Sequence, residues 1–419
     1  MPRDVRISIA QNEGRGMRKQ DMTYDIYCGI DIGKNEHYLV ALEPVSDRRV
    51  MSRPLPQDEK EIEKALFQLE SLGKVLVVVD QVGTIGRLVV AVAQRMSIDI
   101  AHMPPRTFSK AASTYGELKT DAFDAFVIAD SARSTPRMIE MVASRNVAIE
   151  EMRVLASFRA DAVKERTACY NHLHDLLHKV SPPLEKLFQG EALHADLALR
   201  LLAQYGGPLG LKKAGKSRVS TWAGKLKYHK TRGPAKVEEI FKAISEMTLV
   251  LPASAVLEEG IKRIAARTIE LEALEETFNS EIALLEVSIP EVALLKSMPG
   301  MGDVLAPAIA SEIGDINRFR SAGHLASYGG VAPVKKESGT SSKGARKAKG
   351  GNRKLKNALV QYAKSACMHD PHAKAYYDKK RAQGKSHSQS LLALARRRVE
   401  VIYALLKNGC LYEGLLKAA

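Results

Sequence analysis

The stretch YCGIDIGKNEHYLVAL, residues 27–42, contains two apolar runs separated by a short polar segment. Residues 27–33 predict a buried strand, and residues 37–42 predict a second strand that follows it after a tight turn. A weaker third strand is expected over residues 49–53. The sequence therefore predicts a three-stranded meander with Asp31 at the end of its first strand.

The residues that follow alternate between helical and strand patterns. We expect an amphipathic helix over about residues 58–72, the strand KVLVVVD over residues 74–80, a helix over about 85–95 and a short strand over 98–102. Three strands, helix, strand, helix, strand is an α/β order. It resembles the ribonuclease H fold, although the order alone does not separate that fold from other α/β layers.

The rest of the chain is mainly helical. Two long helices are predicted over about residues 149–179 and 255–285, with an apolar period typical of a paired, coiled-coil-like arm. A basic insertion, residues 206–236, is predicted as small helices joined by exposed loops. We therefore expect four segments: a disordered tail (1–23), an α/β domain (24–145), a helical arm with the insertion (146–289) and a helical C-terminal domain (290–419).

The composition points to a polyanionic partner. The 419 residues carry a net charge of +15, and clustered Lys and Arg gain affinity for phosphates by releasing counterions. Neither a membrane-spanning apolar run nor the apolar core of a signal peptide is found, so no membrane and a cytoplasmic location are expected. The four cysteines are widely spaced, and we interpret them as reduced thiols. His172, His174 and His178 lack the acidic partner of an HExxH metal motif.

Four aspartates form the candidate acidic site. Asp31 and Asp80 end predicted strands, and Asp121 and Asp124 share one face of a predicted helix because they are three residues apart. Clustered carboxylates offer the hard oxygen ligands that two Mg²⁺ ions use in phosphoryl transfer. Taken singly, each aspartate is also explained as a turn former or a helix cap. The motif GIDIG also occurs in actin-like sugar kinases, but their second glycine-rich phosphate loop and a Walker-type motif are missing here.

The C-terminal segment contains two further motifs. SMPGMGDVLAPAIASEIGD, residues 297–315, resembles a helix-hairpin-helix, in which Gly300 and Gly302 would help to present backbone N–H groups to a DNA phosphate. Core packing alone also explains that pattern. VKKESGTSSKGARKAKGGNRK, residues 334–354, is predicted as a loop inside a domain, because a helical pattern resumes directly after it. A serine there is a candidate nucleophile toward phosphorus, since the surrounding cations stabilise its alkoxide. The candidate nucleic-acid-binding cations are Lys335, Lys336, Lys343, Arg346, Lys347, Lys349, Arg353, Lys354 and Lys356.

These motifs, taken together with VVVDQVGT, KTDAFDAFVIAD, LASYGGVAPVKKESGTSSKG and GNRKLKNAL, resemble the DEDD transposases of the insertion-sequence-110 family from about residue 27 to residue 407. The resemblance implies a RuvC-like ribonuclease H domain, a coiled-coil arm and a C-terminal transposase domain with a nucleophilic serine. Matched position by position, it assigns the Mg²⁺-binding tetrad to Asp31, Asp80, Asp121 and Asp124, and the serine to Ser338. The second acid of the family is often Glu, so the contact of the shorter Asp80 with metal, direct or through water, stays open.

The resemblance also implies partners and a reaction. The family members are recombinases that act on double-stranded DNA as homo-oligomers with composite active sites, guided by a structured non-coding bridge RNA. We therefore expect a nucleoid-associated dimer or tetramer in which the tetrad polarises a phosphate and Ser338 forms a covalent phosphoserine. Ser341 and Ser342, and more weakly Thr340, are alternative nucleophiles. The rival functions are a RuvC-type structure-specific nuclease that uses activated water, a nucleic-acid-binding protein without chemistry, and an actin-like kinase.

Overall fold

A computed structural model gives the structure of the chain and describes residues 24–46, 48–116, 120–142, 147–194, 196–226, 232–338, 341–346 and 350–413. The contacts divide the chain into two compact units, Met1–Arg145 and Asn146–Ala419. The predicted tail, residues 1–23, lies outside the described residues. The division of the second unit into an arm and a C-terminal domain stays a prediction.

The first unit is built on a mixed sheet. Its strands are β1 (Ile26–Asp31), β2 (Glu36–Leu42), β3 (Arg49–Pro56), β4 (Val75–Val79), β5 (Asp99–His102) and β6 (Glu140–Met141). Their spatial order is β3-β2-β1-β4-β5-β6. The first three strands form the predicted antiparallel meander, whereas β4 pairs parallel with both β1 and β5. This is the ribonuclease H-like arrangement that the element order predicts.

Two strands differ from the prediction. The edge strand β3 continues to Pro56 because an edge position tolerates prolines that cannot donate to a ladder. The strand β6 pairs antiparallel with β5 at the opposite edge. Its two residues are too few to show a period, so the sequence gives no signal for it.

Helices cover both faces of the sheet. They are α1 (Glu59–Glu70), α2 (Arg87–Arg95), α3 (Pro105–Tyr115) and α4 (Asp121–Ser134). The first two pack with Val75, Val77 and Val79 on one face, and the last two pack with Leu76 and Val78 on the other. The apolar strand β4 is thus buried on both sides. The sequence analysis missed α3, which packs Phe108, Ala111, Ala112 and Tyr115 on the sheet at helical spacing.

The second unit is predominantly helical. Its helices are α5 (Val147–Val180), α6 (Pro182–Leu187), α7 (Asp196–Tyr205), α8 (Pro208–Ala214), α9 (Lys216–Lys225), α10 (Arg232–Ser245), α11 (Ser254–Glu286), α12 (Pro290–Lys296), α13 (Leu305–Ile313), α14 (Ala322–Tyr328), α15 (Arg353–His369), α16 (Pro371–Ala382) and α17 (His387–Asn408). Two short antiparallel strands, β7 (Val334–Ser338) and β8 (Ser341–Arg346), lie between α14 and α15.

The two long helices α5 and α11 run antiparallel to each other, and we call this pair of helices the arm. The Arg159 guanidinium pairs with the Glu275 carboxylate at 2.6 Å, and the Tyr170 hydroxyl donates to Glu272 at 2.6 Å. The Phe158 ring contacts Phe278 with their centroids 6.0 Å apart. Long helices at these positions are confirmed, but their seam mixes ion pairs with apolar contacts. Its coiled-coil character stays a prediction.

The arm joins two separate hydrophobic cores. At its base, Met152 of α5 and Ile282 of α11 belong to the core that α12 to α17 share. At its other end, Leu173 and Ile261 belong to a second core, which is built with α6 to α10. We call these five helices with the adjoining ends of α5 and α11 the tip bundle. The predicted small helices of the insertion are confirmed, but they are packed helices that share a core, not segments exposed throughout.

The segment predicted as a loop inside a domain, residues 334–354, contains the hairpin β7–β8, which the sequence analysis did not predict. Its residues lack the alternation of apolar and polar side chains that marks a strand. An antiparallel ladder satisfies backbone N–H and C=O groups whatever the side chains are. None of the described helices is long and apolar enough to cross a membrane. All four cysteines are free thiols.

Candidate active site

Asp31 and Asp80 lie side by side at one edge of the sheet. Asp31 is the last residue of β1, and Asp80 directly follows β4. The two strands are parallel, and their register pairs Ile30 with Val79, so the two aspartates occupy the next position along. Side chains alternate between the faces of a strand. Asp80 therefore shares the face of Val78, the side of the sheet that α3 and α4 cover.

The helix α4 brings the other two aspartates to the same edge. Asp121 is its first residue and Asp124 follows one turn later. The N-cap is Thr120, whose hydroxyl accepts from the Phe123 amide at 3.2 Å. The cap position is therefore filled by threonine, and Asp121 begins the helix, which agrees with the alternative in which this aspartate simply starts α4.

A glycine allows α4 to lie directly on β1. A Cβ atom on Gly29 would lie 2.3 Å from the Ala125 carbonyl oxygen and 2.5 Å from the Ala129 backbone nitrogen. Both distances are far below van der Waals contact, so only glycine fits while the helix keeps this position. Ala125 and Ala129 are themselves fully buried. The small residues on both elements thus set the height of α4 above the sheet and bring Asp124 close to Asp31.

The four carboxylates interact electrostatically, and we call them the acidic cluster. Burial and the negative charges of Asp80, Asp124 and Asp121 raise the pKa of Asp31 from 3.8 to about 7. Burial also raises the pKa of Asp80, although hydrogen bonds to its carboxylate oppose the shift. Like charges placed together in a partly desolvated site are unfavourable unless a cation or protons compensate them. The arrangement therefore favours a bound cation.

Backbone and histidine contacts hold the strand ends in place. The Ile32 amide donates to Asp80 Oδ1 at 3.2 Å, which fastens the end of β1 to the end of β4. On β5, His102 Nε2 donates to the Asp80 carbonyl oxygen at 3.0 Å. The sequence analysis did not single out His102. Its position at the end of the neighbouring parallel strand was the available signal.

A second histidine fixes the turn after β1. The Gly33 amide donates to His37 Nδ1 at 3.2 Å, and His37 Nε2 donates to the Gln57 side-chain oxygen. The Gln57 amide in turn donates to the Ile85 carbonyl oxygen at 2.7 Å. His37 is buried, and burial lowers its pKa. These contacts need a neutral ring with its proton on Nε2, so His37 acts as a structural link between the strand ends.

The donor set of the acidic cluster fits Mg²⁺. The ion prefers carboxylate oxygens and water, and proteins commonly hold it through one or two carboxylates together with substrate phosphates. Within the described residues, no three His, Cys, Asp or Glu side chains are arranged so that they hold one metal ion together. A cation would therefore be shared between few protein ligands, water and the phosphate that is to be cut.

Ser338 lies in the second unit, at the end of β7. The backbone register of the hairpin places Ser338 opposite Ser341 and pairs Glu337 with Ser342. The predicted cations Lys335 and Lys336 lie on β7, and Lys343 and Arg346 lie on β8. The side chains of both strands are outside the described part of the structure, as are Lys347, Lys349 and the alternative nucleophile Thr340 altogether. The hairpin thus brings the backbones of three candidate serines together.

Three predicted cations begin α15, which follows the hairpin. Arg353 and Lys354 are exposed, and Lys356 is half-buried. The helix is capped by the Asn352 side chain, which accepts from the Leu355 amide at 3.0 Å. Cations at a helix N-terminus oppose the helix dipole and so do not serve the stability of the helix. The Lys354 ammonium donates to the Ser157 hydroxyl of α5 at 2.9 Å, and anion binding by these cations stays a prediction.

The two glycines of the predicted hairpin motif have different surroundings. Gly300 has φ +78°, and a Cβ there would lie 3.0 Å from the Ser365 backbone, so packing against α15 explains this glycine. Gly302 is exposed, but the next residue is Asp303, which pairs with Lys296 at 2.6 Å. The acid lies just before the start of α13, where a DNA phosphate would bind. Phosphate binding by this hairpin stays a prediction.

Comparisons with known proteins agree over most of the chain. A family model described as a transposase, of the DEDD type found in IS110, matches residues 28–182, and a model of the IS116/IS110/IS902 transposase family matches residues 292–378. The chain is 35% identical to a 43.6 kDa protein of insertion element IS110 from Streptomyces coelicolor, over 94% of this chain and 96% of that protein. It is 30% identical to a 44.8 kDa protein of insertion element IS116 from Streptomyces clavuligerus, over 92% and 96%.

One solved structure is a weak match. It is T. thermophilus RuvC in complex with a Holliday junction substrate, with a TM-score of 0.24 and 13% identity over 28% of this chain and 99% of that chain. Similarity at this level carries no argument about fold or function. The ribonuclease H-like assignment rests instead on the strand order and directions.

Proposed function

Because the chain belongs to the insertion-sequence-110 family of DEDD transposases and is a DNA transposase, we propose that it cuts and rejoins DNA through a covalent phosphoserine. In this proposal Ser338 is the nucleophile, and carboxylates of the acidic cluster, Asp31, Asp80, Asp121 and Asp124, bind Mg²⁺ together with water and the scissile phosphate. The metal would polarise the scissile phosphate and neutralise the charge that develops on it.

The observation that carries the proposal is the electrostatic strain of the acidic cluster. Burial and three neighbouring carboxylates raise the pKa of Asp31 to about 7. Strongly shifted carboxylates in a cluster are typical of sites that bind cations or transfer protons. A purely structural role for these residues would not require them to be brought together against their mutual repulsion.

The proposed reaction is balanced in bonds and protons. Ser338 Oγ loses its proton and forms a bond to phosphorus, while the bond from phosphorus to a deoxyribose oxygen breaks and that oxygen leaves as a hydroxyl. A hydroxyl of the partner DNA strand later attacks the phosphoserine and releases the serine. One phosphodiester is replaced by another, so the exchange needs no nucleotide cofactor.

The basic residues of the second unit support contact with DNA. Arg353, Lys354 and Lys356 begin α15 where they do not stabilise the helix. The hairpin before it contains four more cations, Lys335, Lys336, Lys343 and Arg346. Together they would bind the phosphates on either side of the cut.

The proposal includes two partners besides DNA. A structured bridge RNA would supply the target sequence, and the net charge of +15 is in keeping with more than one nucleic acid. A homo-oligomer with composite active sites is the second partner, and similarity to insertion-sequence-110 transposases over most of the chain supports including it. The mass of the complex with RNA and DNA in solution tests both partners.

Single alanine substitutions at Ser338, Ser341 and Ser342 test the nucleophile. Each variant is incubated with end-labelled DNA and Mg²⁺, and the covalent adduct is separated under denaturing conditions. We expect the adduct to disappear in Ser338→Ala and in Asp31→Asn, and to persist in the other two. An adduct of undiminished yield in Ser338→Ala would overturn the assignment. Cleaved DNA without any linked protein would favour the water-activated nuclease.

A further inference from the structure

The tip bundle is a folded module whose surface the proposed reaction does not use. In the sequence its helices follow the residues of the acidic cluster and precede those of the serine hairpin, and they bury a core of their own. The helix α9 lies on one side of this core with Val219 and Ala223 buried. The other described residues of α9 are exposed or half-buried.

One face of α9 combines an aromatic ring with cations. Arg218, Trp222 and Lys225 are spaced four and three residues apart, so they lie on the same side of the helix. Arg218 and Lys225 are exposed, whereas Trp222 is half-buried at the boundary between this face and the core. The cations thus flank the ring along the helix.

Trp222 packs against a second ring, that of Tyr205. Its centroid lies 5.4 Å from that of Tyr205, and the two planes meet edge to face at 83°. Burial raises the pKa of the Tyr205 hydroxyl, and the positive charge of Arg218 counteracts this shift, so the guanidinium lies near the pair of rings. A ring that is already ordered loses little conformational freedom when a ligand stacks on it.

The cations of the tip bundle are of two kinds, those paired with a carboxylate and those without such a partner. Lys216 and Lys236 are each paired with a glutamate of α10. In the described part of the chain, Arg218 and Lys225 have no carboxylate partner. Their charge is therefore available to an anionic ligand.

We propose that this face of α9 binds unpaired RNA, with a base stacked on Trp222 and phosphates bound by Arg218 and Lys225. Aromatic stacking platforms bordered by cations bind single strands, because every base presents a flat face. Bases inside a duplex are already stacked on one another, whereas the loops of structured RNA expose theirs. The inference rests on the proposed function for its choice of RNA, and it names a surface where that RNA is held.

Trp222 is the only tryptophan of the chain, so intrinsic fluorescence reports on this face alone. The probe is a single-stranded RNA of about 12 nucleotides, within the range of sites that one binding module covers. We expect the oligonucleotide to quench the fluorescence of the full-length protein, and single-stranded DNA or duplex RNA of the same length to quench it much more weakly. Quenching that is equal for the three nucleic acids, or absent with the RNA, overturns the proposal.

Substitutions separate the contribution of base stacking to RNA affinity from the contribution of charge. With a labelled oligonucleotide, Trp222→Ala is expected to raise Kd between about 5- and 150-fold, the range that corresponds to one lost stack, and Trp222→Phe is expected to raise it less. Arg218→Ala is expected to weaken binding and to reduce the slope of log K against log salt by about 0.7. The matched control is Arg263→Ala, which removes one charge from an 80% exposed side chain of α11 and should leave the RNA affinity within about twofold of the wild type.

Measurements of RNA affinity and of DNA-adduct formation distinguish this inference from the proposed function. Circular dichroism melting first establishes that each variant is folded. An Arg218→Ala variant that binds RNA as tightly as the control overturns the inference, even when the protein still forms its DNA adduct. Loss of the adduct in Ser338→Ala without any change in Trp222 quenching is expected, because the two sites are tested by separate readouts.

Discussion

Replacing Asp31 with Asn is expected to stabilise the first unit at alkaline pH when no divalent cation is present. Burial and the charges of Asp80, Asp124 and Asp121 raise the pKa of Asp31 from 3.8 to about 7. The folded state therefore binds a proton more tightly than the unfolded state, and it loses stability as the pH rises from about 4 to about 7. A shift of roughly 3 pKa units corresponds to about 4 kcal/mol. Because the side chain is only partly buried, we expect about 2 kcal/mol.

Hydrogen exchange of the full-length protein measures this effect in the strands β1 and β4. At about pH 8 without divalent cations, Asp31→Asn should raise the free energy of opening by about 2 kcal/mol, and at about pH 4 the difference should vanish. Saturating Mg²⁺ should stabilise the wild type more than the variant. Glu36→Gln is the control, since Glu36 is an exposed acid of β2 that does not contribute to the shift. Equal opening free energies for wild type and Asp31→Asn at about pH 8 would refute the repulsion on which the candidate site depends.

Three further substitutions test the packing of the fold. Gly29→Ala should lower the free energy of unfolding by about 1–3 kcal/mol or more and abolish DNA cleavage, because it displaces α4. Gly83→Ala, which has open space around its Cβ, should leave the free energy of urea unfolding unchanged. Arg398→Met leaves the buried Asp370 carboxylate unpaired and should lower the free energy of unfolding by about 3–5 kcal/mol; the same change at the more exposed Arg396 should cost less than about 1 kcal/mol. Glu258→Gln removes the charge that accepts three backbone N–H groups at the start of α8. The free energy of opening measured by hydrogen exchange should therefore fall by about 1–2 kcal/mol in the tip bundle, and it should stay unchanged in the core that α12 to α17 share.

The long, strongly patterned elements were predictable from the sequence. The two arm helices are found over Val147–Val180 and Ser254–Glu286, within two residues of the expected bounds. The adjacency of Asp31 and Asp80 also follows from simple rules, since parallel strands end at the same edge of a sheet. What these features share is a signal contained within a few neighbouring residues.

Features that depend on distant contacts were not predictable. The sequence indicates Gly29 only as part of an apolar strand, because the role of this glycine depends on the backbone of α4 about a hundred residues later. The helix α4 is buried on several sides and so has no clear amphipathic pattern. The ion pair between Arg159 and Glu275 likewise occupies a seam where the helical period favoured apolar residues.

Because the arm leaves one core and returns to it, the length of the arm can change without a change in that core. The chain leaves the base core at Met152 and comes back to it at Ile282, so whole turns can be removed from both helices in equal number without altering either end. Deleting seven residues from each would draw the tip inward by about 10 Å. The distance between the two cores of the second unit is therefore a property that evolution or an engineer can adjust without changing the residues of either core.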